Sequence, residues 1–286
     1  MVQHLNPKNQ LWKNRAGERF EDVAQALGCA VDQDGREKAG MGTAAADVDD
    51  DGDEDLLVVN LSGEPDSFFR NDGGFFADRT PRVGLAAASR PFTRFGLGLV
   101  DVDNDGWLDV YQANGRVTRA PEAVGPRPFD EENLLFRGTP EGRFLEVVPR
   151  GGTAATLVAT SRAAAFGDVD GDGAIDVLVV NRDAPAYLLM NRAGVRGRWI
   201  GFRLLEASGR PALGATLSCK VGERSLLRRA RSAFSYCAAN DPTIHLGLGE
   251  ATRVTDVEVT WADGTRERFG SYSPDAVVEI QRGNGN

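Results

Sequence analysis

The sequence is poor in cysteine and has no long apolar run. Its 286 residues include 3 cysteines, too few for a disulfide scaffold. Cys219 and Cys237 lie in one β-rich region and can form a single disulfide, but two buried free thiols are the favoured interpretation. No apolar segment approaches the roughly 20 residues that cross a bilayer, so we expect no transmembrane segment. The N-terminal residues show no apolar core after a basic start, so no signal peptide is expected.

The chain also has fewer basic than acidic residues. The chain has 33 Lys and Arg against 42 Asp and Glu, a net charge of −9. A protein that binds a phosphate backbone needs a basic face, so nucleic acid is excluded as the main partner. The 34 glycines and 13 prolines indicate many turns. The length allows one large domain or two ordinary ones.

An internal repeat organises the first two thirds of the chain. Three segments fit the pattern D-x-D-x-D-G-x-x-D, and they start at Asp47, Asp101 and Asp168. Each start is followed thirteen residues later by an asparagine. A run rich in Gly and Ala precedes each segment, and a β-branched or aromatic run follows it, so both flanks are predicted strands. With two further Phe-containing strands, each unit forms a four-stranded propeller blade.

The acidic segments are predicted metal-binding loops. Carboxylates at alternate positions, followed by a glycine that permits a sharp turn, form an oxygen cage for a hard cation. The seventh position varies, which fits a ligand supplied by the backbone carbonyl. The loops contain no thiolate or imidazole, so zinc and copper are disfavoured, and Ca²⁺ is favoured over Mg²⁺. The predicted ligands of about three Ca²⁺ ions are Asp47, Asp49, Asp51, Asp53 and Asp55; Asp101, Asp103, Asp105, Trp107 and Asp109; and Asp168, Asp170, Asp172, Ala174 and Asp176.

The EF-hand is the rival interpretation of these loops. It requires a glutamate at loop position twelve and a helix on each side. Position twelve holds Val58, Gln112 and Val179, and the flanks are predicted strands. The EF-hand is therefore rejected.

The repeats resemble the FG-GAP or VCBS repeats of integrin-type β-propellers over residues 8–192. Phe95-Gly96 and Phe166-Gly167 stand where that family has its name-giving dipeptide. The resemblance implies that each acidic loop joins the first two strands of a blade and binds Ca²⁺. Propellers of this type usually have seven blades, whereas this chain supplies about three and a half. It predicts an incomplete or small propeller, either a four-bladed ring or an open arc.

A second module is predicted at residues 193–283, where the acidic loops stop and strand-like runs continue. The elements His245-Leu-Gly-Leu-Gly249 and Val257-Glu-Val-Thr-Trp-Ala-Asp-Gly264 resemble the ASPIC/UnbV domain. FG-GAP repeats followed by this domain are the arrangement of the cartilage acidic protein-like family. We therefore expect an all-β chain, with propeller blades followed by a β-sandwich-like module.

Three functions remain open at this point. The first is a calcium-binding β-propeller that acts as a binding or scaffold protein, extracellular in most relatives, although the missing signal peptide also allows the cytoplasm. The second is a calcium-dependent biosynthetic enzyme or accessory protein of cyclase or isomerase type, because UnbV takes its name from genes of enediyne biosynthesis. The third is an assembly subunit, a homodimer joined through open blade edges. No catalytic residue is identified: His245 matches a family strand, and no nucleophile-elbow or phosphate-binding motif accompanies it.

The arginines at positions 224, 228, 229 and 231 form the one basic cluster. They are expected to form a solvated face, with an anionic partner or the acidic repeats as the alternatives.

Overall fold

The computed structural model describes residues 8–119, 126–193 and 196–286 and is almost entirely β, as predicted from the sequence. The helices are α1 (Ala24–Leu27), α2 (Thr80–Val83), α3 (Leu85–Ser89) and a 3₁₀ turn at Arg150–Gly152. Among the described residues, no helix has the length and apolar character needed to span a bilayer.

The repeats form three blades, preceded by a two-stranded hairpin. The hairpin is β1 (Trp12–Arg15) and β2 (Arg19–Asp22). Blade one contains β3 (Gly40–Ala46), β4 (Asp55–Asn60), β5 (Ser67–Asp72) and β6 (Phe75–Asp78). Blade two contains β7 (Arg94–Val100), β8 (Asp109–Asn114), β10 (Leu134–Gly138) and β11 (Phe144–Glu146), and β9 (Glu131–Glu132) pairs separately with β12 (Val158–Ala159). Blade three contains β13 (Ser161–Gly167), β14 (Asp176–Asn181) and β15 (Tyr187–Leu189).

The C-terminal strands form two sheets around one core. The first sheet contains β16 (Arg198–Leu205), β19 (Ile244–Gly249) and β22 (Ala276–Gln281), and the second contains β17 (Thr216–Val221), β18 (Arg224–Arg229), β20 (Val254–Thr260) and β21 (Arg266–Tyr272). Ile200 and Phe202 of the first sheet and Leu217 and Val259 of the second are fully buried in the same cluster. The module is therefore the expected sandwich.

Small residues let the innermost strands of the blades approach one another. A Cβ atom at Gly42 of β3 would lie 2.0 Å from the carbonyl oxygen of Phe95 in β7. A Cβ atom at Gly96 of β7 would lie 2.5 Å from the nitrogen of Ala164 in β13. These distances are shorter than a van der Waals contact, so the Gly- and Ala-rich runs of the sequence are required where the blades converge.

A segment of the C-terminal module covers the inner edges of the blades. Residues 230–242, which we call the plug segment, connect β18 to β19. Its Ser235 hydroxyl accepts a hydrogen bond from Leu97 N–H at 3.2 Å, and the Asn240 side-chain oxygen accepts one from Phe166 N–H at 2.9 Å. Arg231 also donates to the carbonyl oxygen of Ala45. The plug segment therefore satisfies backbone groups of all three innermost strands, which would otherwise need water or another chain.

The three cysteines are free. Cys29 and Cys219 are buried and Cys237 is exposed in the plug segment, so Cys219 and Cys237 do not pair. Burial raises the pKa of the Cys219 thiol to about 12.

Candidate functional site

The three acidic loops connect the first two strands of each blade, as the family resemblance implied. They span β3 to β4, β7 to β8 and β13 to β14. The glycine at loop position six has a φ of +94° at Gly52, +94° at Gly106 and +82° at Gly173. This left-handed conformation is open to glycine and strained for most other residues, which explains why glycine recurs there.

Each loop brings three carboxylates together. Within each group, one oxygen from every carboxylate lies within 4.8 Å of the others. Two of the buried oxygens, Asp49 Oδ1 and Asp101 Oδ1, have no hydrogen-bond partner. Converging carboxylate oxygens with unsatisfied lone pairs are what a hard divalent cation binds, so these groups could hold a metal ion of that kind. The groups are Asp47, Asp49 and Asp51; Asp101, Asp103 and Asp109; and Asp168, Asp170 and Asp176.

Six predicted ligands lie outside these groups, namely Asp53, Asp55, Asp105, Trp107, Asp172 and Ala174. The carboxylate at loop position nine, which belongs to two of the groups, also anchors its loop in the fold. Asp55 accepts hydrogen bonds from the N–H groups of Val48 at 3.2 Å and Asn71 at 2.8 Å. The same two contacts recur at Asp109 and Asp176. The ninth loop position therefore ties its loop to the third strand of the blade, whether or not it also binds a cation.

The seventh position was predicted to contribute only a backbone carbonyl. Its N–H group donates to the carboxylate at position five in all three loops, from Asp53, Trp107 and Ala174 at 2.9, 2.9 and 3.0 Å. These bonds fix the backbone at position seven independently of the side chain. They explain why three such different residues are tolerated there.

Burial opposes ionisation of the carboxylates in the first two loops. Desolvation raises the pKa of Asp47 to about 6 and that of Asp55 to about 7. It raises the pKa of Asp101 to about 7 and that of Asp109 to about 8, where the neighbouring Asp101 charge adds to the effect. Clustered, partly desolvated carboxylates of this kind are stabilised by a cation between them.

Arginines beside the loops were not anticipated. Arg70 lies 3.0 Å from Asp49, Arg137 lies 2.9 Å from Asp103, and Arg192 lies 2.9 Å from Asp170. Each guanidinium also approaches the carboxylate at loop position five. The signal in the sequence was an Arg in or just after the third strand of each repeat unit, at Arg70 in β5, Arg137 in β10 and Arg192 after β15.

The first loop contacts the basic cluster of the C-terminal module. Asp50 pairs with Arg224 at 2.5 Å and Arg228 at 3.1 Å. Glu54 pairs with Arg229 at 3.5 Å and Arg231 at 3.2 Å. The arginine cluster therefore meets the acidic repeats, and the favoured interpretation of a solvated face was wrong. The paired residues are about 175 positions apart in the sequence. A local sequence pattern does not predict contacts at that separation.

The second loop joins the third loop and the C-terminal module. Asn104 donates to the carbonyl oxygen of Gly173 at 2.9 Å, and its side-chain oxygen lies 2.7 Å from His245 Nε2. The Gly249 N–H group donates to the Asn104 carbonyl oxygen at 2.8 Å. Burial lowers the pKa of His245 to about 4, so this imidazole is neutral at pH 7 and holds the two modules together. His4 lies outside the described residues.

A cavity of about 260 Å³ lies between the modules. Its walls include Asp101 and Asp168 from the loops, and Trp199 and His245 from the C-terminal module. The Trp199 and His245 rings stack with their centroids 5.8 Å apart. The cavity is small beside ordinary ligand pockets of roughly 300–1,000 Å³.

Comparison with known proteins matches both halves of the chain. Residues 47–111 match the FG-GAP-like repeat family model, and residues 205–286 match the model described as ASPIC and UnbV. The chain is 27% identical over 274 residues to cartilage acidic protein 1 of Xenopus tropicalis, covering 91% of this chain and 38% of that protein. It is 26% identical over 290 residues to cartilage acidic protein 1 of Homo sapiens, covering 96% and 40%. The chain therefore spans about two fifths of the length of these relatives.

Proposed function

We propose, from the FG-GAP-like repeats and the ASPIC/UnbV segment together, that the protein is a calcium-binding scaffold or binding protein. In this proposal residues 8–192 form the calcium-binding repeat region and residues 193–283 form the second module. About three Ca²⁺ ions would bind, one in each acidic loop. The observation that carries the proposal is the convergence of three carboxylate oxygens within 4.8 Å in every loop.

The chemistry of the donors supports calcium in particular. All side-chain donors in the loops are carboxylates, and the backbone carbonyls of Asp53, Trp107 and Ala174 can add a ligand each. Ca²⁺ accepts six to eight oxygen ligands in flexible geometry, whereas Mg²⁺ keeps more of its water. An extracellular setting, proposed from the similarity to cartilage acidic protein 1, suits loops with a Kd of roughly 10⁻⁴–10⁻³ M.

Bound calcium would neutralise the carboxylates at the base of the interface between the modules. The first loop holds Arg224 and Arg228 through Asp50, and the second loop holds His245 through Asn104. These contacts would then hold the blades and the C-terminal module in one arrangement. The protein would present an ordered surface, which lowers the entropy lost when a partner binds.

Metal analysis tests this function. Equilibrium dialysis of the purified protein against ⁴⁵Ca²⁺ at free calcium concentrations of roughly 10⁻⁵–10⁻² M, which bracket the expected Kd, should give about three ions per chain at saturation. Asp103→Ala should lower that number by one, while Asp256→Ala, an exposed carboxylate outside the loops, should leave it unchanged. Fewer than one ion per chain at saturation would overturn the proposal.

A second candidate function rests on the cavity between the modules. Its Trp199 and His245 rings, with the buried Asp101 nearby, combine an aromatic wall with polar groups, as expected for a biosynthetic enzyme or accessory protein that holds a natural-product precursor. Trp199→Ala would enlarge the cavity and remove its aromatic wall. Saturable quenching of tryptophan fluorescence by natural-product precursors, abolished in Trp199→Ala, would support this candidate. Absence of any saturable quenching would exclude it for those ligands.

A further inference from the structure

Each blade packs on its neighbours through two different faces. Because the blades are repeats, equivalent strand positions in the three blades can be compared. In blade one, the face toward blade two carries Leu57, Val59 and Phe68, which are 0%, 0% and 4% exposed in a shared cluster. We call this the forward face. The same strand positions in blade two hold Tyr111 and Ala113, which are 2% and 0% exposed against blade three. The forward face is therefore buried wherever a further blade follows.

Blade three has an apolar forward face that nothing in the described part of the chain covers. Leu178, Val180 and Leu188 are 41%, 45% and 50% exposed. Leu178 pairs with Leu188 across β14 and β15 just as Leu57 pairs with Phe68 across β4 and β5. These residues occupy the blade-packing positions of the repeat, and their exposure leaves an aliphatic patch of the kind that marks an interaction surface.

The opposite end of the arc has an exposed aromatic face. In blade one, Phe69 and Phe76 form the rear face, which packs on the chain before β3, and Phe69 is 1% exposed. Strand pairing places Trp12 and Phe20 of the hairpin at the same two positions. They are 55% and 65% exposed, so no residue in the described part of the chain covers the rear face of the hairpin.

We propose that two copies of this chain associate head to tail, with the forward face of blade three in one copy packing on the hairpin of the other. The contact repeats the forward-to-rear stacking that joins blade one to blade two and blade two to blade three. It pairs Leu178, Val180 and Leu188 with Trp12 and Phe20. The proposal deepens the scaffold function proposed above by naming a partner surface, and it does not depend on bound metal.

The partner that fits these two faces is a second copy of the same chain. One chain carries both complementary faces, but they lie on the first and last units of the arc. The inner strand edges are already covered by the plug segment, so the contact is made between faces rather than by adding a strand. Such a contact is heterologous, with different surfaces on the two copies.

Mass measured against concentration tests the association. Light scattering of the full chain over roughly 1–100 µM, a range that brackets a micromolar Kd, is expected to rise from 30.7 kDa toward at least twice that value. Leu178→Glu and Trp12→Ser should each remain monomeric over this range. Leu213→Glu is the matched control, because Leu213 is 51% exposed in the C-terminal module, and it should assemble as the unmodified chain does.

Mixing the two variants separates a head-to-tail contact from a symmetric one. Leu178→Glu keeps an intact hairpin and Trp12→Ser keeps an intact blade-three face, so an equimolar mixture should recover a one-to-one dimer. If Trp12→Ser assembles alone, blade three contacts blade three, and the proposal is overturned.

The remaining outcomes are equally decisive. A constant mass of 30.7 kDa for the unmodified chain would also overturn the proposal. Thermal melts check that both variants fold, and the milder Leu188→Ser replaces Leu178→Glu if the latter does not. Calcium counted on the same samples reports on the scaffold function separately, since neither face contains a loop carboxylate.

Discussion

Replacing Asp103 by alanine should destabilise the protein in calcium and have little effect on its stability without calcium. Asp103 lies in the second loop, with one oxygen within 4.8 Å of oxygens from Asp101 and Asp109. Its pKa is raised by burial and by the neighbouring Asp105 charge, so the carboxylate is destabilised in the metal-free fold. A bound cation reverses that balance, because it binds only the folded cage.

The size of the effect follows from the linkage between binding and folding. At calcium one hundred times above Kd, a single site stabilises the fold by about 2.7 kcal/mol. In a chain of this size the loss of that site should lower the melting temperature by roughly 5–10 °C. In chelator, Asp103→Ala loses the pair with Arg137 and a long hydrogen bond from the Asp105 N–H group at 3.4 Å. The Arg137 side chain is 54% exposed, and such a pair contributes at most about 1 kcal/mol. Relief of repulsion between carboxylates offsets that loss.

The assay is scanning calorimetry of both proteins in calcium and in chelator. Arg137→Gln is the matched control, because it removes the cation that lies against Asp103 and Asp105 without removing a ligand. It should lower the calcium concentration needed for half of the melting shift. An Asp103→Ala variant that loses the same melting temperature in chelator as in calcium would show that the carboxylate acts only as a structural group, and the reasoning would fail.

Three further predictions concern buried polar side chains. Burial raises the pKa of Glu131 from 4.5 to about 7, so the folded state binds its proton more tightly than the unfolded state, and stability falls as pH rises from about 4.5 to 7. Glu131→Gln should remove up to about 3 kcal/mol of that fall in urea titrations, and an unchanged slope would contradict this. Asn240→Ala leaves the buried Phe166 N–H group unpaired and should lower the free energy of unfolding by about 1–3 kcal/mol; a neutral effect would mean that water replaces the bond. Asp50→Asn should weaken the ion pair with Arg224, cost about 1–3 kcal/mol and speed hydrogen exchange in β18, and unchanged exchange would show that the pair does not hold the modules together.

Periodic features of the fold could be predicted from the sequence. The D-x-D-x-D-G-x-x-D pattern located the three loops, and the runs around it located the strands that flank them. These features are local, since a Gly at a positive φ or an alternating β-type run depends on a few neighbouring residues. The third blade departs from the repeat, since it has three strands in the described residues where four were expected.

Strands and contacts that depend on distant partners could not be predicted. In the C-terminal module, the segment that forms β18 was interpreted as a solvated basic cluster and not as a strand. The sequence of β18, RSLLRR, has charged ends and is stable as a strand because β17 pairs with it and Asp50 neutralises Arg224 and Arg228. The sequence predicted a four-bladed ring or an open arc, and it left open a homodimer joined through blade edges. In the structure the plug segment covers the inner edges, while association of two copies stays a prediction.

The position of the plug segment late in the sequence also has a consequence for biosynthesis. The third blade is complete at Leu189, whereas the plug segment ends at residue 242, so the ribosome must add about fifty further residues in between. At roughly 5–20 residues per second, this takes some 3–10 s. During that interval the three nascent blades carry uncovered inner edges, which other unfinished chains can pair with. Chaperone dependence and loss of yield at high expression rates should therefore concentrate in this window of synthesis.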